Sequence, residues 1–95
     1  MNADILRERR DDILKVAARH KARNVRVFGS VARGEAGPRS DIDLVVRMEP
    51  DATLFDLIAL ERDLQEMLGQ KVQVISEAGL KSWARDRILD EAVSF

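Results

Sequence analysis

Apolar residues recur at helical spacing in three stretches of the chain and gather into short, largely β-branched segments in three others. Between residues 3 and 21, Ile5, Leu6, Ile13, Val16 and Ala17 stand among Arg, Asp, Glu and Lys. That is one apolar stripe on a helix, with Asp4 placed to cap it. Asn24 to Phe28 is short, β-branched and aromatic, and predicts a buried strand ending at Gly29. Ser30 opens a short helical turn through Ala32 and Arg33 that Gly34 closes, and Gly37-Pro38 signals a turn. Asp41 to Met48 predicts a second strand, with Ile42, Leu44 and Val46 on one face and Asp41, Asp43 and Val45 on the other.

Pro50 ends that strand, and Asp51 or Thr53 can cap the next helix. Leu54, Leu57, Ile58, Leu64 and Leu68 then recur at helical spacing until Gly69 supplies a stop. Lys71 to Ile75 is a third short strand, and Glu77 to Gly79 leads into a last helix with Leu80, Trp83, Ala84, Ile88 and Leu89 as its inward stripe. Trp83 therefore reads as core. His20, beside Arg19 and Lys21, reads as a solvated base at a helix C-terminus, where cations are favoured, and carries no chemistry. Helices between strands predict a sheet covered by helices, in the α/β or α+β class.

Composition narrows this picture. At 95 residues the chain is expected to be one domain, 1–95. Hydrophobic residues at 45% can build a core, and charged ones at 35% a polar surface. A net charge of -1 gives no cationic field of the kind that drives non-specific nucleic-acid binding, so no direct nucleic-acid partner is expected. The chain has no cysteine, which removes disulfides, thiolate zinc sites and cysteine nucleophiles together. Charges from Asp4 onward leave no signal-peptide core, and no apolar run approaches the ~20 residues of a membrane span. A cytoplasmic protein is expected. Phe55 and Phe95 read as scattered surface apolar groups.

Two devices in residues 25–47 point to chemistry. Asp41 and Asp43 on one strand face lie ~6.5 Å apart at their Cα atoms, close enough for like charges to interact. Magnesium suits such a pair, since it takes one or two carboxylates and completes its shell with water and substrate phosphates. Two such ions can stabilise the attacking and leaving oxygens of a phosphoryl-type displacement. An Asp-x-Asp alone is more often a decorated strand end. Gly29-Ser30 shifts the balance, because a strand that ends in glycine and opens a helix with serine presents backbone N–H groups to a phosphate. Arg33 and Arg39 flank the motif. As functional residues they would meet phosphate or a partner's acidic surface, and as structural ones they would pair with Glu35 or Asp41. The chain has no Gly-Lys-Ser/Thr, no dinucleotide fingerprint and no EF-hand loop.

Gly29-Ser30, ten residues, then Asp41-Ile42-Asp43 resembles the signature of the nucleotidyltransferase superfamily with a DNA polymerase β-like fold. Phe28-Gly-Ser-Val-Ala-Arg-Gly-Glu and Arg39-Ser-Asp-Ile-Asp-Leu are similar to its minimal nucleotidyltransferase (MNT) branch, over nearly the whole chain down to Arg-Ile-Leu-Asp-Glu-Ala. The resemblance implies the nucleotidyltransferase fold, a small mixed sheet flanked by helices, with Gly29 and Ser30 on the nucleotide phosphates and Asp41 and Asp43 on Mg²⁺, and Arg33 is taken beside them as a nucleotide-binding candidate. It further implies an antitoxin that transfers AMP from ATP to a tyrosine of a partner HEPN-domain ribonuclease toxin. The superfamily often has a third carboxylate where this chain has Gln73, and glutamine can accept no proton. Three alternatives are open: metals and substrate suffice, another group such as Glu77 substitutes, or the domain is slow or inactive and neutralises its partner by binding alone. Modification of a small molecule such as an aminoglycoside is disfavoured, because no residues remain for an acceptor domain.

Overall fold

Ala22, Val25 and Val27 all face the core, although a regular strand would send Ala22 and Val25 to opposite faces. The computed structural model, which describes residues 3–35, 37 and 41–95 with the side chains of Ala3 and Asp4 excepted, gives the reason. The pairing of strand β1 (Ala22–Phe28) slips between Arg23 and Arg26. Asn24 sits there at φ 54, a left-handed conformation that asparagine tolerates, so an irregularity of the β-bulge kind re-phases the strand. From Val25 on, the alternation runs cleanly into the site.

β1 pairs antiparallel with β2 (Ile42–Met48), and β2 pairs parallel with β3 (Val72–Ser76), giving a mixed sheet in the order β1-β2-β3. The parallel step needs a crossover, which α4 (Leu54–Leu68) supplies. Its start is capped by Thr53, whose N–H donates to the Asp56 carboxylate at 2.8 Å, and its end by Gly69 at φ 66. Asp51, the alternative cap, instead pairs with Lys21 at 2.9 Å. The core lies between one face of the sheet and the helices α1 (Ala3–Glu8), α2 (Arg10–Arg19) and α4, of which α2 and α4 touch each other. Leu6, Ile13, Val16 and Ala17 from the first helices and Leu60, Leu64 and Leu68 from α4 form one buried cluster with Val25, Val27, Ile42, Leu44, Val46, Val72 and Val74 of the sheet.

The structure departs from the pattern reading in several places. The first helical stretch is divided at Arg9 into α1 (Ala3–Glu8) and α2 (Arg10–Arg19), although backbone bonds run through the junction. No Pro or Gly lies there, so nothing local dictates it. In α4, Leu60 is fully buried, whereas Leu54 is 69% and Ile58 48% exposed. The buried line runs through 57, 60, 64 and 68, and Leu54 and Ile58 fall on its edge. Helix α5 (Ser82–Glu91) buries no residue fully, and Trp83 is 76% exposed. The inward edge of α5 is set by Ala84 and Ile88, and one helical step of ~100° turns Trp83 away from it. His20 is half-buried rather than solvated, with Nε2 2.6 Å from Asp63 Oδ2, which ties α2 to α4. Phe95 packs against the core, while Phe55 stands exposed as expected. Pro38, Arg39 and the Asp4 side chain lie outside the described residues.

Among the described residues, no helix is long and apolar enough to cross a membrane.

Candidate active site

Phe28, Asp43 and Gln73 form one row across the three strands, in register on adjacent strands. Asp43 reaches the sheet face opposite the core because Ile42 and Leu44 on either side of it point inward. Val45, next on that second face, is also fully buried. A 3₁₀ turn (Glu77–Gly79) folds back toward β2 there, and Arg26 Nη2 meets Glu77 Oε2 at 3.2 Å. Glu77, the alternative base, is therefore engaged by Arg26.

After β1 the chain turns at Gly29 into α3 (Gly29–Ala32). Gly29 has φ +73, and a side chain there would collide with the Asp43 carboxylate. The turn and the second strand are thus in direct contact: the room left by glycine is filled by Asp43. The Gly29 N–H is also occupied, since it donates to Glu91 Oε1 at 2.6 Å. The open N–H that the sequence assigns to this position is taken up in the fold by a carboxylate from α5. Ser30 is half-buried, and its hydroxyl bonds no described residue.

Arg33, at the end of α3, pairs with Glu35 (Nε to Oε2, 3.0 Å) and with Glu91 (Nη1 to Oε1, 2.8 Å). Of the two structural partners expected for it, Glu35 is present. These carboxylates raise the Arg33 pKa further above its already high value, through the hydrogen bond to Glu35 first and then the charge of Glu91. Asp41 lies just before β2 with Lys71 Nζ 3.9 Å away, both well exposed. Burial raises the Asp43 carboxyl above the ordinary value of 3.8, and the nearby charge of Asp41 adds to this. Arg33 opposes the shift and Glu91 reinforces it.

Asp41 and Asp43 are hard oxygen donors whose mutual repulsion a cation would relieve, which fits Mg²⁺. A bound Mg²⁺ would neutralise phosphate oxygens and orient them for displacement. Among the described residues no third carboxylate or imidazole joins the pair. Gln73, beside Asp43 on β3, offers neither charge nor a proton acceptor.

A recess of about 460 Å³ opens beside the turn, lined by Phe28, Gly29, Arg33, Arg87, Ile88 and Glu91. A larger groove of about 670 Å³ lies elsewhere, between the start of α4 and β3, lined largely by apolar residues such as Leu54, Leu57, Val74 and Leu80. None of the candidate residues lines it, so the chemistry and this groove are separate. Sequence reasoning missed Glu91 and Arg87. Both lie on a helix far from the motif along the chain, and no spacing signal links them to it.

The nucleotidyltransferase domain family matches residues 9–94. A protein of Methanocaldococcus jannaschii assigned as a protein adenylyltransferase is 37% identical over 81 residues, covering 85% of this chain and 87% of that protein. The protein adenylyltransferase MntA of Thermococcus cleftensis is 39% identical over 75 residues, covering 79% and 76%. A solved structure described as a minimal nucleotidyltransferase superposes with a TM-score of 0.89 at 46% identity, covering 100% of this chain and 97% of that one. A toxin-antitoxin crystal structure with AMP-PNP shares the fold at a TM-score of 0.76 and 19% identity, covering 87% and 68%. With the Gly29 turn packed on Asp43 in a three-stranded mixed sheet flanked by helices, and with these likenesses over nearly its full length, the chain belongs to the nucleotidyltransferase domain family.

Proposed function

We propose that this chain is a single-domain protein adenylyltransferase that serves as an antitoxin, transferring AMP from ATP to a tyrosine of a partner HEPN-domain toxin. The observation that carries the reading is the contact between Gly29 and the Asp43 carboxylate. It brings the nucleotide half and the metal half of the motif into one place. The names of the relatives support the enzyme class, and the fold shared with a toxin-antitoxin structure holding AMP-PNP supports both the nucleotide and the kind of partner.

In this reading Asp41 and Asp43 hold Mg²⁺, and Ser30 and Arg33 hold the phosphates of ATP. The acceptor's phenolic oxygen attacks the α-phosphorus, the bond to the bridging oxygen breaks, and pyrophosphate leaves. Gln73 takes no proton from the phenol, so the partner or solvent receives it. In this reading the partner supplies the acceptor half of the site. The test mixes the protein with α-labelled ATP, Mg²⁺ and the product of the adjacent gene. Label should appear on the partner and be lost with Asp43→Ala; label transfer that survives this substitution would sink the role given to Asp43.

A second reading is favoured by Gln73 beside Asp43. Here the domain covers and silences its partner without turnover. An Asp41→Ala, Asp43→Ala double variant that neutralises the partner as well as wild type supports it, and one that still forms the complex but no longer neutralises rejects it.

A further inference from the structure

We propose that Glu91 is a positioning residue of the nucleotide site, one of its carboxylate oxygens holding the Gly29 amide and the Arg33 guanidinium together at the edge of the recess that all three line. The inference rests on the nucleotide reading and assigns a task to a helix that reading does not use. The two donors it joins come from the two ends of α3, so a single acceptor fixes the turn as a unit. The two distances, 2.6 and 2.8 Å, are those of charge-assisted bonds.

Three further features fit holding rather than ligation. Glu91 makes no metal-binding group with Asp41 and Asp43 among the described residues. It is itself anchored, because Val93 and Val27 exchange two backbone bonds of 2.9 Å just beyond α5, next to the strand end that leads into Gly29. Arg33 has five N–H donors, of which Glu35 and Glu91 engage the Nε and one at Nη1, so the rest remain for an anion in the recess. An arginine fixed at two points meets a phosphate with less loss of freedom than one that is not.

Binding of Mg²⁺-AMP-PNP is measured by calorimetry for wild type, Glu91→Ala and Glu91→Gln. Glu91→Ala is expected to weaken binding about tenfold, as loss of a hydrogen bond to charged groups implies. Glu91→Gln, which keeps an acceptor for the Gly29 amide but not the charge, should recover part of this and stay ~3-fold weaker than wild type. Gly29 amide exchange in the nucleotide-free protein should be slow in wild type and Glu91→Gln and fast in Glu91→Ala. In turnover, KM should rise while kcat holds. Wild-type affinity in a folded Glu91→Ala overturns the inference, and so does tighter binding by either variant, which would mean that the carboxylate competes with the phosphates. If Glu91→Ala does not fold, wild-type affinity in Glu91→Gln overturns it instead. Failure of wild type to bind any nucleotide removes the nucleotide reading and this inference with it, whereas binding by wild type and an unimpaired Glu91→Ala removes this inference alone.

Discussion

Gly29 couples the two halves of the site through what it lacks. Its φ of +73 would cost a residue such as alanine about 1–2 kcal/mol, and a methyl group there would also displace the Asp43 carboxylate. Gly29→Ala should therefore destabilise the protein by about 2 kcal/mol or more, and by less when Asp43 is already alanine. A double-mutant cycle followed by urea denaturation should give a coupling of at least ~0.5 kcal/mol. Strict additivity would mean that the carboxylate does not fill the space beneath Gly29. The sequence marks Gly29 as a place for close approach, and this is right in kind, since only glycine fits. The group that approaches in the fold is the chain's own Asp43, and the amide is bonded to Glu91, neither of which a reading along the chain could pair with it.

At the scale of the element, α4 shows why a stripe is easier to detect than to orient. Its period and Gly69 stop were legible, and Thr53 was one of two caps the sequence offered, beside Asp51. Which leucines face the sheet depends on how the helix is rotated against β3. Leu60→Ala should cost about 2–5 kcal/mol, because the side chain is fully buried, and Leu54→Ala, at 69% exposure, well under ~1 kcal/mol. Equal losses in thermal melts of the two variants would contradict the rotation described. The same rotation explains Trp83 in α5, whose neighbour Ala84 turns inward while the indole turns out. His20 gives the opposite case: a residue that looks solvated by its neighbours in sequence is drawn to Asp63 by the packing of α2 on α4.

Taken whole, the molecule is almost neutral, yet Asp41, Asp43 and Glu91 lie near one another at one end of the sheet. Burial first, and then the charges of Asp41 and Glu91 against that of Arg33, disfavour the ionised form of Asp43. Because the folded-state pKa of Asp43 is raised, its protonated form is favoured by folding. Its contribution to stability is present in full below the unfolded value and is lost as pH rises through the raised one. Asp43→Asn should thus be more stable than wild type at neutral pH, by less than about 1 kcal/mol given the partial exposure of the carboxyl. The difference should vanish in acid. Denaturation curves at neutral pH and below the ordinary value of 3.8 check this, and a variant less stable than wild type at neutral pH contradicts it.

By itself the sequence determined the order of elements, the strand faces of β2, the Gly69 stop of α4 and the pairing of a glycine turn with an Asp-x-Asp strand. These follow from local rules: side-chain alternation, helical period and the backbone demands of Gly and Pro. Tertiary structure alone decided that Asp43 fills the space at Gly29, that Glu91 joins Gly29 to Arg33, that Glu77 is held by Arg26 and that Trp83 faces outward. Each of these depends on the rotation or approach of an element distant in sequence. That geometry is set by the packing of the whole core, and no local period encodes it.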